Sequence, residues 1–109
     1  MKFTTLIPKA YNDGTPVSEA VLDRLIKELS EPFGGMTRED GIQGYWVDDD
    51  GTEFRDETIR ISIVCDRERL QETLKAVRRI GRKLKQKAMF FEVFGYDGVQ
   101  FLRIETETI

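Results

Sequence analysis

The spacing of apolar residues changes period along the chain, and each change predicts an element. The run KFTTLIP (2–8) is β-rich and stopped by Pro8, which predicts a first strand. The turn formers of YNDGTP predict a loop. In VSEAVLDRLIKELSEPF the residues Val21, Leu22, Leu25, Ile26 and Leu29 share one helical face. Ser18 is the expected N-cap, with Val17 and Leu22 as a hydrophobic staple. Pro32 and the pair Gly34-Gly35 are expected to stop this helix at a corner against which Phe33 packs back. Two β-like runs follow, about 42–47 and 52–64, joined at Asp50-Gly51, a strong hairpin signal. A bulge is expected near Asp56. In the second run Ile59, Ile61 and Ile63 alternate cleanly with Arg60, Ser62 and Val64.

DRERLQETLKAVRRIGRKLKQK reads as a second helix, with Asp66 as N-cap and Cys65 and Leu70 as staple. Its expected buried stripe is Leu70, Leu74, Val77, Gly81 and Leu84. Gly81 there implies close approach to the sheet, since helical propensity disfavours it. The remainder predicts a fourth strand, an Asp97-Gly98 turn, a last strand near 99–104 and a frayed end. The order is β-α-β-β-α-β plus a strand. The expectation is therefore an α+β fold: a ferredoxin-like βαββαβ split βαβ sandwich with an extra C-terminal strand, as one domain over 1–109.

Composition removes several chemistries. The 109 residues contain no histidine and one cysteine, Cys65. Imidazole acid–base work, His-ligated metals, thiolate metal clusters and an intrachain disulfide are thereby excluded. No apolar run approaches the roughly 20 residues that span a bilayer. The N-terminal patch is interrupted by Thr4 and Thr5, so no signal peptide is read and a cytoplasmic protein is expected. The net charge of -3 conceals a division: residues 1–57 carry six basic and thirteen acidic side chains, residues 58–109 eleven and seven. Such a polarised surface can steer a charged partner, or reflect one solvated loop and one solvated helix face.

Four places could carry chemistry. Asp48, Asp49, Asp50, Glu53, Asp56 and Glu57 put six carboxylates into ten residues, enough for a hard cation or for a solvated turn. Their spacing does not match an EF-hand loop. The run RRIGRKLKQK places Arg78, Arg79, Arg82 and Lys83 on the wet side of the second helix, available to phosphates or simply to water. The isoelectric point of about 5.1 speaks against a dedicated nucleic-acid binder. Aromatics gather at Tyr45 and Trp46 and at Phe90, Phe91, Phe94, Tyr96 and Phe101. With Phe90 and Phe94 pointing away from Phe91, the fourth strand is apolar on both faces, as an interface or ligand groove would require. Cys65, just before a helix, is either a thiolate or a small apolar staple.

The pattern Phe33-x-Gly35-x-Thr37, Gly44-x-Trp46, Gly51 and Glu57 resembles a family of small bacterial proteins classed as a domain of unknown function. That resemblance implies a compact ferredoxin-like fold and a shared surface around Thr37, Trp46 and Glu57; it implies no reaction. With Tyr45 and Arg55 these residues form the expected ligand or partner surface. The preferred reading is a non-enzymatic binding or regulatory module, an accessory protein of a phage, plasmid or defence locus. It would form a homodimer through Phe90 and Phe94 and use no cofactor or metal. The alternatives are a metal-dependent hydrolase or nuclease built on the carboxylates of 48–57 with Arg55 or Arg60, and a nucleic-acid-associated protein using the basic helix.

Overall fold

The computed structural model describes residues 1–94 and 99–105. It is an α+β fold of strands β1 (Lys2–Pro8), β2 (Thr37–Val47), β3 (Glu53–Val64), β4 (Ala88–Phe94) and β5 (Val99–Arg103), with helices α1 (Glu19–Ser30) and α2 (Leu70–Lys83). The strands form one antiparallel sheet in the order β2-β3-β1-β4-β5. The expected turn at Asp97-Gly98, Tyr96 and the last four positions lie outside the described residues, as does the side chain of Phe101.

Alternation decides which face is covered. Phe3, Thr5 and Ile7 of β1, Ile59, Ile61 and Ile63 of β3, and Met89, Phe91 and Val93 of β4 are buried beneath the helices. Leu22, Leu25, Ile26 and Leu29 of α1 and Val77, Ile80 and Leu84 of α2 meet them. Ser18 caps α1 by accepting the Val21 N–H at 3.2 Å. The helix tightens into a 3-10 turn at Glu31–Phe33 and closes on Gly34, whose φ of 87° is the left-handed region open to glycine. The corner is held from both sides. The Phe33 ring meets Phe3 edge-on at 5.7 Å, and the Arg69 guanidinium lies 4.4 Å from the Phe33 ring centroid and donates to the Pro32 carbonyl at 2.8 Å.

Several boundaries differ from the sequence reading. Asp66 makes no side-chain cap; a 3-10 turn at Arg67–Arg69 precedes α2 instead. The buried stripe of α2 includes Thr73 and Ile80, while Leu70 and Leu74 are only partly covered. Thr73 is tolerated there because its hydroxyl donates to the Leu70 carbonyl at 2.6 Å. Gly81 does mark a close approach: a Cβ there would lie 2.7 Å from Met89 Cγ and 2.8 Å from Ile104 Cδ1. α2 ends earlier than expected, in a Schellman closure from Gln86 N–H to the Gly81 carbonyl at 2.9 Å, with Lys85 at φ 57°. β2 begins at Thr37 rather than near 42. Its pairing with β3 slips between Glu39 and Ile42, where Gly41 has φ 73°; the expected bulge at Asp56 is absent and sits on the partner strand instead.

That hairpin is the feature that matters for function. β3 has 12 residues and so does α1. At about 3.3 Å per strand residue and 1.5 Å per helical residue, the strand is roughly twice as long as the helix covering it. The burial follows: Thr58 to Ile63 are buried or half-buried, whereas Glu53, Arg55, Asp56 and Glu57 are exposed. The outer half of the β2–β3 hairpin therefore projects beyond the helices with both faces free.

Candidate functional site at the projecting hairpin

The tip is built by its own acidic residues. The Asp48 carboxylate accepts the N–H groups of Asp50 and Thr52 at 3.1 and 3.0 Å, and Asp50 accepts the Thr52 N–H at 3.0 Å. Gly51 supplies the left-handed residue at φ 88°. This loop sets the register Val47↔Glu53, Trp46↔Phe54, Tyr45↔Arg55, Gly44↔Asp56 and Gln43↔Glu57. Opposed residues share a face, so the register sorts the candidates. Gln43, Tyr45, Glu53, Arg55 and Glu57 stand on the face continuous with the helix-covered side. Gly44, Trp46, Phe54 and Asp56 stand on the open side.

The two faces differ in chemistry. On the open side Trp46 stacks on Phe54, with centroids 4.5 Å apart and planes 17° from parallel, and its indole N–H donates to Asp56 at 3.0 Å. Gly44 leaves free space beside them; a Cβ there would meet nothing within 4 Å. On the other side the Tyr45 hydroxyl donates to Glu53 at 2.8 Å, which raises the phenol pKa and keeps it neutral. The Arg55 guanidinium lies 5.5 Å from the Tyr45 ring centroid. An open concavity of about 680 Å³ is lined by Gln43, Tyr45, Arg55 and Glu57 of this face together with Gly44 and Asp56 of the open one. From Glu57 a chain of charges runs away from the concavity: Lys9 lies 3.9 Å from both Glu57 and Asp40, and Arg38 binds Asp40 at 2.7 Å and Asp23 of α1 at 3.0 Å. The Arg38 hydrogen bond holds the Asp40 carboxyl below its ordinary range.

Of the residues expected from sequence, Tyr45, Arg55 and Glu57 come together in this concavity. Trp46 is adjacent in sequence but on the opposite face. Phe33, Gly35 and Thr37 are not part of it: Thr37 pairs with Ser62, nine residues along β2 from Trp46, roughly 30 Å at full strand rise. Phe33 instead lines a groove of about 380 Å³ between the helices with Glu28, Glu72, Lys75 and Arg79. The corner at Gly34-Gly35 closes the turn that follows α1. Gln43 and Lys9 were missed by sequence reasoning, although Gln43 stands two residues before Tyr45 and so on its face. The acidic cluster does not form the cation site weighed for a hydrolase. Asp48 and Asp50 serve the turn, Asp56 faces away from Glu53 and Glu57, and among the described residues no three acidic or thiol groups converge to hold a metal.

The remaining candidates lie elsewhere. Lys83 is paired with Glu28 across the helices at 2.8 Å, Arg79 borders the interhelical groove, and Arg78 and Arg82 are half-buried. Phe90 is half-buried, with its carbonyl accepting the Thr5 hydroxyl at 2.7 Å; Phe94 is exposed beneath Lys2, whose ammonium lies 5.6 Å from the ring. Burial raises the Cys65 thiol pKa despite Arg69 nearby, so the residue is a protonated staple rather than a thiolate. Among the described residues no helix is long and apolar enough to cross a membrane.

No family model matches the chain, and no curated protein matches it. Two solved structures share the fold. A phage SAM lyase in complex with S-methyl-5′-thioadenosine superposes with a TM-score of 0.73 and 10% identity, over 94% of this chain and 88% of that one. A phage SAM lyase in the apo state gives 0.70 and 13%, over 98% and 91%. At these identities the likeness is one of fold. It nonetheless overturns the expectation of a non-enzymatic regulatory module, because the solved chains that share nearly the whole of this architecture are enzymes.

Proposed function

We propose that this chain is a small enzyme of the SAM-lyase kind, which holds a sulfonium nucleoside on the projecting hairpin and breaks a carbon–sulfur bond. The observation that carries the reading is the concavity of Tyr45, Arg55, Glu57 and Gln43 on a fold whose solved counterparts act on SAM. The chemistry demands little of the side chains. S-methyl-5′-thioadenosine is what remains of SAM when the bond from sulfur to the amino-acid chain breaks. The bonding electrons pass to sulfur, which turns from a cation into a neutral thioether. The carbon it leaves is satisfied either by loss of a proton from the adjacent carbon, giving an alkene, or by a new bond to an oxygen of the substrate's own carboxylate. The leaving group is thus already activated, and a chain without histidine and with one cysteine, its thiol pKa raised by burial, can still be competent.

What the protein must do is hold the cation and the flexible four-carbon chain in one reactive geometry. The Tyr45 ring and the carboxylates of Glu53 and Glu57 suit a positive sulfur. Gln43 offers an amide donor and acceptor to ribose or base. The ferredoxin-like reading of the first six elements accompanies this proposal; it is supported by the order β2-β3-β1-β4 and by antiparallel pairing throughout.

Calorimetric titration with SAM and with S-methyl-5′-thioadenosine tests the reading. Both are expected to bind, and Tyr45→Ala is expected to weaken SAM about two- to fivefold through the lost cation contact. Trp46→Ala, on the other face, is expected to leave both affinities in place. Binding of neither compound by the folded wild type would refute the proposal.

A further inference from the structure

Most arginines around the sheet are already matched. Arg38 sits on Asp40 and Asp23, Arg60 lies 3.5 Å from Glu39, and Arg69 forms a fork with Glu72. Arg55 is different. It belongs to a hairpin with six carboxylates between 48 and 57, yet among the described residues it makes no ion pair. Its guanidinium rests instead against the Tyr45 ring, and Tyr45 is itself fixed by its hydrogen bond to Glu53. The nearby carboxylates are occupied: Glu53 by Tyr45, Asp56 by the Trp46 indole, Glu57 by Lys9. The result is an exposed guanidinium within cation–π reach of the Tyr45 ring, 5.5 Å from its centroid, on the wall of the concavity.

A guanidinium in that condition matches a carboxylate from outside, because its paired donors fit two carboxylate oxygens at once. Resting on the reading of the hairpin face as a SAM-type site, we propose that Arg55 recognises the α-carboxylate of the substrate's amino-acid half. The chain then selects sulfonium nucleosides that carry a free α-carboxylate over those that lack it. The sulfur cation, joined to that amino-acid end by two methylene carbons, faces Glu57, whose pairing with Lys9 is a long 3.9 Å. The two ends of the substrate, opposite in charge, meet groups of the opposite sign on one face. Arg55 is a specificity-determining residue on this account.

The test is the binding of SAM, decarboxylated SAM and S-methyl-5′-thioadenosine to wild type, Arg55→Gln and Arg55→Lys. The wild type is expected to prefer SAM over its decarboxylated form by about tenfold, the worth of one charge-assisted contact at an exposed site. Arg55→Gln is expected to abolish that preference and to leave S-methyl-5′-thioadenosine binding unchanged, since that compound has no carboxylate. Arg55→Lys, which keeps the charge without the fork, is expected to fall between. Equal weakening of all three compounds in Arg55→Gln would mean that Arg55 only props Tyr45, and an unchanged SAM preference would mean that it touches nothing; either overturns the assignment alone. A wild type that binds neither SAM nor the thioether overturns the underlying site reading, and the assignment with it.

Discussion

Gly81→Ala isolates the close approach of α2 to the sheet. On an exposed helix this change is stabilising by about 1 kcal/mol, because alanine is the better helix former. Here the new Cβ would stand 2.7 Å from Met89 Cγ and 2.9 Å from Ile104 Cγ1. Met89 is buried in β4, so its side chain cannot simply swing aside. Forcing a methyl group into a close-packed site costs about 1–3 kcal/mol. Taking about 2 for the overlap and about 1 returned by propensity leaves a net loss of about 1 kcal/mol. For a domain of this size that lowers the melting temperature by about 4–8 °C. Thermal unfolding followed by circular dichroism reads this directly. A second arm adds Met89→Ala. With the Met89 side chain removed, Gly81→Ala is expected to cost less than it does in the wild type, as contacting residues couple. A Gly81→Ala protein more stable than wild type would refute the packing described between α2, β4 and Ile104.

Three further outcomes are expected. Glu28 is held below its ordinary 4.5 by the hydrogen bond from Lys83, Glu72 by that from Arg69, and Asp40 below 3.8 by Arg38. A lowered folded pKa gives stability that is present above the unfolded value and lost as pH falls through the folded one. The melting temperature should therefore be nearly flat from about pH 6 to 8, with no histidine to titrate, and fall below about pH 4.5; a transition near neutrality would contradict this. Lys85→Gly should raise stability by about 0.5–1 kcal/mol in chemical denaturation, because glycine adopts the φ of 57° without strain, whereas a loss would show the Schellman closure to be wrongly placed. Cys65, its thiol pKa raised by burial, should alkylate with iodoacetamide near pH 7.5 more slowly than in the urea-unfolded chain, and equal rates would contradict its packing.

The layered fold was legible because alternation and helical spacing report burial directly. Ile59, Ile61 and Ile63 could only be one covered face, and Gly81 within an apolar stripe could only be a close contact. The misreadings have physical causes. Thr73 looks polar, yet it is buried because its hydroxyl bonds within the helix. The bulge was sought on β3 near Asp56, whereas Gly41 on β2 could take the positive φ that the register shift needs. The residues of the candidate concavity were legible only in part. Tyr45, Arg55 and Glu57 were singled out, but they were grouped with Phe33, Gly35 and Thr37 by sequence pattern. Alternation alone puts Tyr45 and Trp46, neighbours in sequence, on opposite faces, and the register across Gly51 decides which residues of β3 join each. Absent chemistries were readable from composition, but the conclusion drawn from them was too strong. A chain without histidine is not thereby without catalysis when the substrate brings its own leaving group.

The central claim is that the projecting hairpin serves a SAM-cleaving enzyme. Its most direct measurement is the incubation of purified protein with SAM, followed by chromatographic and mass-spectrometric detection of S-methyl-5′-thioadenosine over time. The account predicts release of that thioether in proportion to enzyme, above the spontaneous rate, and reduced in both Tyr45→Ala and Glu57→Gln proteins that remain folded. A folded wild type that leaves SAM to decay at its spontaneous rate would contradict it.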